Sequence, residues 1–390
     1  MKQKVYICTV FYQCEISLYL TARLRKFFQQ NSFEVLDQPL GADIILINTC
    51  GFVQKTEDRS LSFIRYYAKS YFGKKIIVCG CLAKINRRQC GIKGVSALIG
   101  PKELNKINKI FNPKVLVEDI QVNILDRSIL NNNKTFSTEF IENSGMLDDY
   151  YIQICQGCVN NCSFCSTKKA KGYVESKPVQ EIIREFKSGI KAGFEKFVLL
   201  ADDCGSYGMD IGADFAELLN EINNLRGLFK IKIYFIEPSR LIDLYPKINK
   251  NIFKSKVYYI NAPVQTTSKR ILRLMKRKFD IKSLLNIVNE IRALNPHVRI
   301  ETVVMYGFPS ETREELVDTF ALGGYFDEIM YIAYSGRTGT PAFEYKGKIS
   351  EKEKKNRASL IATEARRSSS KIVVDGNLPP AERIKGSIIH

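Results

Sequence analysis

The chain has 390 residues, 45% of them apolar, with a formal net charge of +18. It is long enough for two or three domains, and no run reaches the ~20 apolar residues that a membrane-spanning helix needs. Only two histidines are present, His297 and His390, which leaves almost no material for His-based zinc chemistry or for Ser–His or Cys–His catalysis.

Met1-Lys2-Gln3-Lys4 leads straight into the strand-like Val5-Tyr6-Ile7-Cys8. No secretory leader is visible, so the expected location is the cytosol. There disulfides are disfavoured. The eleven cysteines therefore point to metal binding or catalysis. The basic surplus attracts polyanions, nucleic acid or a complex rich in it, unless it is only a solvated lysine surface.

Over the first ~120 residues short β runs alternate with helical periodicity. Strands are expected at 5–8, 43–48, 75–79, 97–99 and 115–118, and helices at 16–30, 56–70 and 102–111. That alternation predicts a small open α/β sheet domain over 1–124. Residues 125–147, with Asn131-Asn132-Asn133-Lys134, read as a linker.

A second alternating series follows over 148–345. Strands are expected at 151–155, 196–201, 230–236, 257–261, 299–305 and 328–332. Helices are expected at 179–192, 214–225, 268–276 and 281–294. Six β/α units in succession predict a parallel sheet curved into a partial (β/α)6 barrel, with its chemistry at the C-terminal strand ends. Residues 346–390 read as a charged helix to about Ser370 and a short tail. The expected fold class is thus α/β throughout.

The first strand of that second series runs into Cys158-Val159-Asn160-Asn161-Cys162-Ser163-Phe164-Cys165. Three thiolates at C-x3-C-x2-C can wrap one [4Fe–4S] cubane. They leave one iron open to chelate the amino and carboxylate groups of S-adenosylmethionine (SAM), whose reductive cleavage releases a deoxyadenosyl radical. Cys158, Cys162 and Cys165 are the candidate catalytic and metal-ligating set. A structural zinc site is the competing reading, but zinc usually takes four ligands in paired spacings. Cys155, on the strand, reads as core.

Here the chain resembles a known family, the radical SAM methylthiotransferases, from about Lys4 to Ala342. The resemblance rests on Ile47-Asn48-Thr49-Cys50-Gly51-Phe52, Cys79-Gly80-Cys81-Leu82-Ala83, the triplet, Ser206-Tyr207-Gly208, Pro263-Val264-Gln265 and Met275-Lys276-Arg277. It extends to Gly307-Phe308-Pro309-Ser310-Glu311-Thr312, Tyr334-Ser335 and Gly339-Thr340-Pro341-Ala342. It implies that Cys14, Cys50 and Cys81 hold a second [4Fe–4S] cluster. Two of these follow predicted strand ends and Cys14 opens the first helix, although buried thiols are also common in α/β cores.

The sequence departs from the family's pattern at Gln13 and Ser17, where Gly and Asn are usual, which leaves Cys8 or Cys79 as alternative ligands. Val303 stands at a family Asp position, with Glu301 close by. The family's small C-terminal β-barrel finds no counterpart after Ala342.

The resemblance further implies the chemistry. One SAM donates a methyl to sulfur at the N-terminal cluster, a second is cleaved at the triplet cluster, and the substrate carbon captures a methylthio group. Phe164, Gln265, Arg277, Glu301 and the 304–307 strand end with Gly307 are the implied SAM contacts, unless they only pack the barrel. Family substrates are an aspartyl residue of a ribosomal protein or an adenosine in tRNA. Asn48-Thr49-Cys50-Gly51-Phe52-Val53 and Ala201-Asp202-Asp203-Cys204-Gly205-Ser206-Tyr207-Gly208-Met209-Asp210 look more like the ribosomal-protein branch. A protein or peptide substrate is therefore expected, with a reducing partner such as flavodoxin or ferredoxin. A cluster-carrying or sulfur-trafficking protein without turnover is the alternative of another class.

Overall fold

The computed structural model describes residues 2–12, 14–130 and 146–374. These form two compact units, one of Met1–Ile152 with Cys165–Tyr173, the other of Gln153–Phe164 with Val174–His390.

The first unit begins β1 (Lys4–Thr9), α1 (Glu15–Gln30), β2 (Glu34–Leu36), β3 (Ile44–Thr49) and α2 (Gln54–Ser70). It continues β4 (Lys75–Gly80), α3 (Cys81–Ile85), α4 (Arg87–Cys90), β5 (Val95–Ile99) and α5 (Lys106–Phe111). The sheet is parallel, in the order β2-β1-β3-β4-β5. Every residue of β3 is buried, as an Ile-Ile-Leu-Ile run requires of a central strand covered on both faces. Strand order reverses between β1 and β3, and at such a switch point the C-terminal strand ends flank a crevice.

Three expectations for this unit are corrected. Residues 115–118 form no strand, and Val117–Asp119 is a 3-10 turn. Their backbone is satisfied by side chains instead. Asn31 exchanges two bonds with Val115, each 2.9 Å, and Asn108 takes the Val117 N–H. Residues 125–130, read as linker, belong to the core: Leu125 and Ile129 are fully buried and Arg25 Nε donates to Ser128 Oγ at 3.1 Å. The remainder of the expected linker, up to 145, lies outside the described residues. The helix expected from 102 starts at Lys106, because Glu103 folds back to accept the Gly100 N–H at 3.0 Å. The edge strand β2 was not anticipated. It is three residues long and half-exposed.

Beyond these lie β6 (Tyr150–Gln153), β7 (Cys155–Gln156), α6 (Thr167–Lys171) and β8 (Glu175–Ser176), with β7 and β8 antiparallel. Then come α7 (Val179–Lys191), β9 (Lys196–Leu200), α8 (Phe215–Asn224), β10 (Lys230–Ile233), α9 (Pro238–Leu244), α10 (Asn251–Ser255) and β11 (Val257–Asn261). The series ends with α11 (Lys269–Leu274), α12 (Ile281–Leu294), β12 (Arg299–Tyr306), α13 (Arg313–Asp318), β13 (Glu328–Ala333), α14 (Glu351–Ala365) and β14 (Lys371–Val374).

The sheet order is β14-β13-β12-β11-β10-β9-β6. This is the sequential parallel order that repeated β/α units give. Asp214, Ser268, Asp280, Thr312 and Ser350 each cap the following helix by accepting the N–H three residues on, which fixes where these helices start. The tail expectation is corrected here: Lys371–Val374 adds a seventh strand, parallel to β13. The helix expected to reach Ser370 ends at Ala365, and Ser370 Oγ bonds Gly323 O at 2.6 Å instead. Among the described residues no helix is long and apolar enough to cross a membrane.

Candidate active site

In the first unit, β1, β3 and β4 are adjacent and parallel, and Cys14, Cys50 and Cys81 each follow the C-terminal end of one of them. Thr49 and Gly80 are register partners, so Cys50 and Cys81 are the next residues on neighbouring strands, whose spacing is about 5 Å. Cys81 opens α3 and Cys14 is the N-cap of α1. Asn48 Nδ2 donates to Ser17 O and Thr21 Oγ1, tying β3 to the first turns of α1. Ser60 Oγ donates to Cys50 O and accepts the Cys50 N–H, holding that loop against α2.

The segment Cys165–Tyr173 folds with this unit. Ser166 Oγ donates to Gly51 O at 3.1 Å, directly after Cys50. Ala170 enters the same apolar cluster as Leu82 and Ile85 of α3. Cys165 Sγ lies 3.0 Å from Thr167 Oγ1.

In the second unit the Cys158 loop is built by the segment after β9. Gly157 N–H donates to Asp202 Oδ2 at 2.8 Å and Val159 N–H to Ser206 Oγ at 3.2 Å. Asp203 is buried and accepts four bonds: Ser206 Oγ at 2.6 Å, Asn160 Nδ2 at 3.1 Å, Gly205 N at 3.1 Å and Glu237 N at 2.9 Å. The Cys158 sulfur receives the Asn160 N–H at 3.3 Å and lies 3.7 Å from Asp203 Oδ2. Burial, then the Asp203 charge, pushes the Cys158 thiol up to about 12, so a metal held there would have to displace a proton.

Ser163, next to Cys162, is clamped three ways. Its N–H donates to Met275 O at 3.0 Å, its Oγ to Leu274 O at 2.7 Å, and its carbonyl takes the Ala342 N–H at 2.9 Å. Phe164 packs on Ile271, Met275, Met305, Phe308, Tyr334 and Ala342. Motifs scattered over ~180 residues of sequence thus meet at the triplet loop.

Accessibility sorts the cysteines. Cys14, Cys81, Cys158, Cys162 and Cys165 are partly exposed and Cys50 sits at 9%, whereas Cys8, Cys79, Cys90, Cys155 and Cys204 are sealed in core. Burial raises the Cys8 and Cys79 thiols to about 12, and the Cys79 sulfur points at Ile47 O. Neither is placed to substitute as a ligand. No disulfide joins any of the eleven. Among the described residues no three His, Cys, Asp or Glu side chains converge as they would on a single ion. A cubane asks less convergence, because each thiolate takes its own iron. Thiolate donors of this kind, none of them tied up in a disulfide, fit such clusters.

The remaining expected contacts fall as follows. Gln265 is buried and has φ 74, with its N–H bonded to Val303 O and its carbonyl to Met305 N, just beyond β11. Arg277 is buried against Glu237, Nε to Oε1 3.4 Å, and its guanidinium also donates to Pro263 O. Glu301 is paired with Arg299 and accepts the Tyr259 hydroxyl at 2.5 Å. It shares a face of β12 with Val303, since side chains alternate along a strand. Gly307 leaves β12 with φ 73.

Residue typing missed the roles of Asp203, Ser206 and Glu237; the run of Asp202-Asp203 after a predicted strand was the available signal. It also missed the Tyr334 hydroxyl, which is buried without a hydrogen-bond partner among the described residues. An orphaned hydroxyl beside Phe164 suits a polar ligand.

The chain matches the family model of the radical SAM superfamily over residues 152–323 and that of uncharacterized protein family UPF0004 over residues 4–99. It is 30% identical over 340 residues to the ribosomal protein uS12 methylthiotransferase RimO of Thermodesulfovibrio yellowstonii, across 85% of this chain and 76% of the relative. It is 29% identical over 316 residues to a probable threonylcarbamoyladenosine tRNA methylthiotransferase of Pyrococcus horikoshii, across 80% and 73%. Its fold is similar to that of the radical SAM methyltransferase TsrM of Kitasatospora setae, with TM-score 0.57 and 12% identity over 85% of this chain and 73% of that one. From its two matched regions and the extent of the first relative, this chain belongs to the radical SAM methylthiotransferase family, enzymes that use [4Fe–4S] clusters and SAM.

Proposed function

We propose that this enzyme places a methylthio group on an unactivated carbon of a protein substrate, an aspartyl residue of a ribosomal protein being the target class. One observation carries the chemistry: Cys14, Cys50 and Cys81 each follow the C-terminal end of a parallel strand, and Cys158, Cys162 and Cys165 lie partly exposed in one short loop segment. Cys158, Cys162 and Cys165 would hold one cluster and Cys14, Cys50 and Cys81 the other. When bound, the two clusters supply reductive cleavage of SAM and a site for sulfur delivery.

The chain's own residues do the rest. Asp203 and Ser206 orient Cys158, and the Phe164 cluster keeps water from that side of the loop. Gln265, Arg277, Glu301, Gly307 and the Tyr334 hydroxyl are the groups offered to SAM. The protein target is supported by relatives from several bacteria named ribosomal protein uS12 methylthiotransferases. A low-potential donor such as flavodoxin or ferredoxin supplies electrons, and the cytoplasm is the compartment that keeps eleven thiols reduced.

A tRNA adenosine is the second reading, favoured by the relative named as a tRNA methylthiotransferase; the net charge of +18 suits tRNA and ribosome alike. Mass spectrometry of ribosomal proteins and tRNA nucleosides from a deletion strain decides between them. Loss of a methylthio group from a ribosomal protein is the expected result. Loss from a nucleoside alone assigns tRNA, and no loss from either pool sinks the proposal.

A further inference from the structure

The 307–312 loop leaves the C-terminal end of β12, where the reading above places SAM; the present inference rests on that reading. We propose that α14 is a positioning element for this loop, acting through Arg357 and Lys354. Neither residue lies in any motif that carried the family resemblance.

The loop holds two left-handed residues, Gly307 at φ 73 and Ser310 at φ 64. For a serine that backbone is unfavourable, so something outside must hold it. Ser310 N–H donates to Gly347 O at 2.7 Å, and Arg270 donates to Ser310 O at 2.7 Å and Ser310 Oγ at 3.1 Å.

The second anchor is Glu311, whose side chain is 1% exposed. Its Oε2 accepts the Gly307 N–H at 2.6 Å and is paired with Arg357, itself 5% exposed. The same guanidinium donates to Glu311 O at 2.9 Å. One arginine thus fixes both the backbone and the carboxylate that folds back onto Gly307. A carboxylate so buried cannot stay ionised without a cation, and Arg357 is the cation in contact with it.

One turn earlier on α14, Lys354 reaches Tyr334 O at 2.7 Å. Its methylenes lie so close to Gly307 that a Cβ there would come within 2.8 Å of Lys354 Cγ. Tyr334 carries the orphaned hydroxyl and packs on Phe308 with ring centroids 5.2 Å apart. The two cations therefore hold the ends of β12 and β13 in one arrangement, around the apolar cluster that contains Phe164. Neither touches the reacting atoms; they act through Gly307, Glu311 and Tyr334.

The test uses full-length protein with both clusters reconstituted. In Arg357→Met, SAM affinity by calorimetry should weaken about ten- to hundredfold, the scale of one lost charge-assisted hydrogen bond. The iron content should stay at the wild-type value, and hydrogen exchange of the Gly307 amide should rise even without SAM. Adding Glu311→Gln keeps an acceptor for the Gly307 N–H but leaves the carbonyl of residue 311 without its Arg357 donor, so the double variant should regain part of the Gly307 protection and not the wild-type affinity. Lys74→Met, on the exposed Lys74–Asp43 pair, should change neither.

If Arg357→Met fails to fold, Lys354→Met decides. It keeps methylenes against Gly307, loses the Tyr334 bond together with the pairing to the exposed Glu351, and should bind SAM severalfold more weakly. A folded Arg357→Met or Lys354→Met protein with wild-type SAM affinity overturns the inference. Failure of the wild-type enzyme to transfer methylthio groups would sink the proposed function instead, and would leave these binding and exchange readouts standing.

Discussion

Gly80→Ala probes how the first unit presents Cys81 beside Cys50. Gly80 has φ +94, and a Cβ there would lie 2.4 Å from Thr49 O and 2.6 Å from Asn48 Oδ1. The left-handed backbone costs an L-residue about 1–2 kcal/mol. Both clashing groups belong to β3, so relief requires β3 and β4 to separate just where the two cysteines leave the sheet. Overpacking of that kind costs about 1–3 kcal/mol more. The sum, about 2–5 kcal/mol, is a large share of a domain's stability, and it falls on the ligand loops.

The assay is iron per chain after anaerobic reconstitution. About eight irons are expected for two clusters and about four for the variant. Gly73→Ala is the control, since at φ +86 it has nothing within 4 Å and meets only the backbone cost. A Gly80→Ala protein with full iron loading and undisturbed β3–β4 amide protection would refute the reasoning.

Other perturbations test other parts. Cys158→Ala, Cys162→Ala and Cys165→Ala should each abolish SAM cleavage; persistent deoxyadenosine formation would remove the triplet from the site. Cys50→Ala should leave SAM cleavage and stop methylthio transfer, and a methylthiolated product in that variant would show the N-terminal ligand set to be wrong. Asp203→Asn puts an amide donor among four donors, so it should cost about 1–3 kcal/mol in urea unfolding and speed exchange of the Glu237 amide; an unchanged midpoint would contradict the bond network.

Glu103 supplies a pH test. Burial raises its carboxyl, but the Gly100 N–H, Lys84 and Lys106 outweigh burial and hold it at about 2. Its folded value lies below the unfolded one, so its stabilisation is present above about pH 4.5 and lost as pH falls towards 2. Glu103→Gln should cost about 1 kcal/mol at pH 7, after allowance for screening, and nothing near pH 2. Equal costs at both pH values would contradict this.

The parallel strands could be read from local apolar runs because a strand buried on both faces must be almost wholly apolar, as Ile44-Ile45-Leu46-Ile47 is. Helices 179–191 and 281–294 were legible for a similar reason, since one apolar face repeats at the helical period. The segment 115–118 misled because its β-like composition is local. Its partners, Asn31 and Asn108, are side chains from distant turns. The strand Lys371–Val374 was hidden by its position in the tail, since an edge strand is defined by the neighbour it finds.

The C-x3-C-x2-C spacing was readable from the chain alone, because eight consecutive residues cannot place their thiols far apart whatever surrounds them. The same holds for the β/α alternation, which is a property of neighbouring residues. Burial is not such a property. Cys8 and Cys79 are sealed because they lie inside β1 and β4, which are covered by packing, whereas Cys14, Cys50 and Cys81 stand beyond the strand ends. The Asp203 network and the hold of Arg357 on Glu311 join groups 34 and 46 residues apart. Bonds of that range exist only once packing has excluded water, and no local pattern records them.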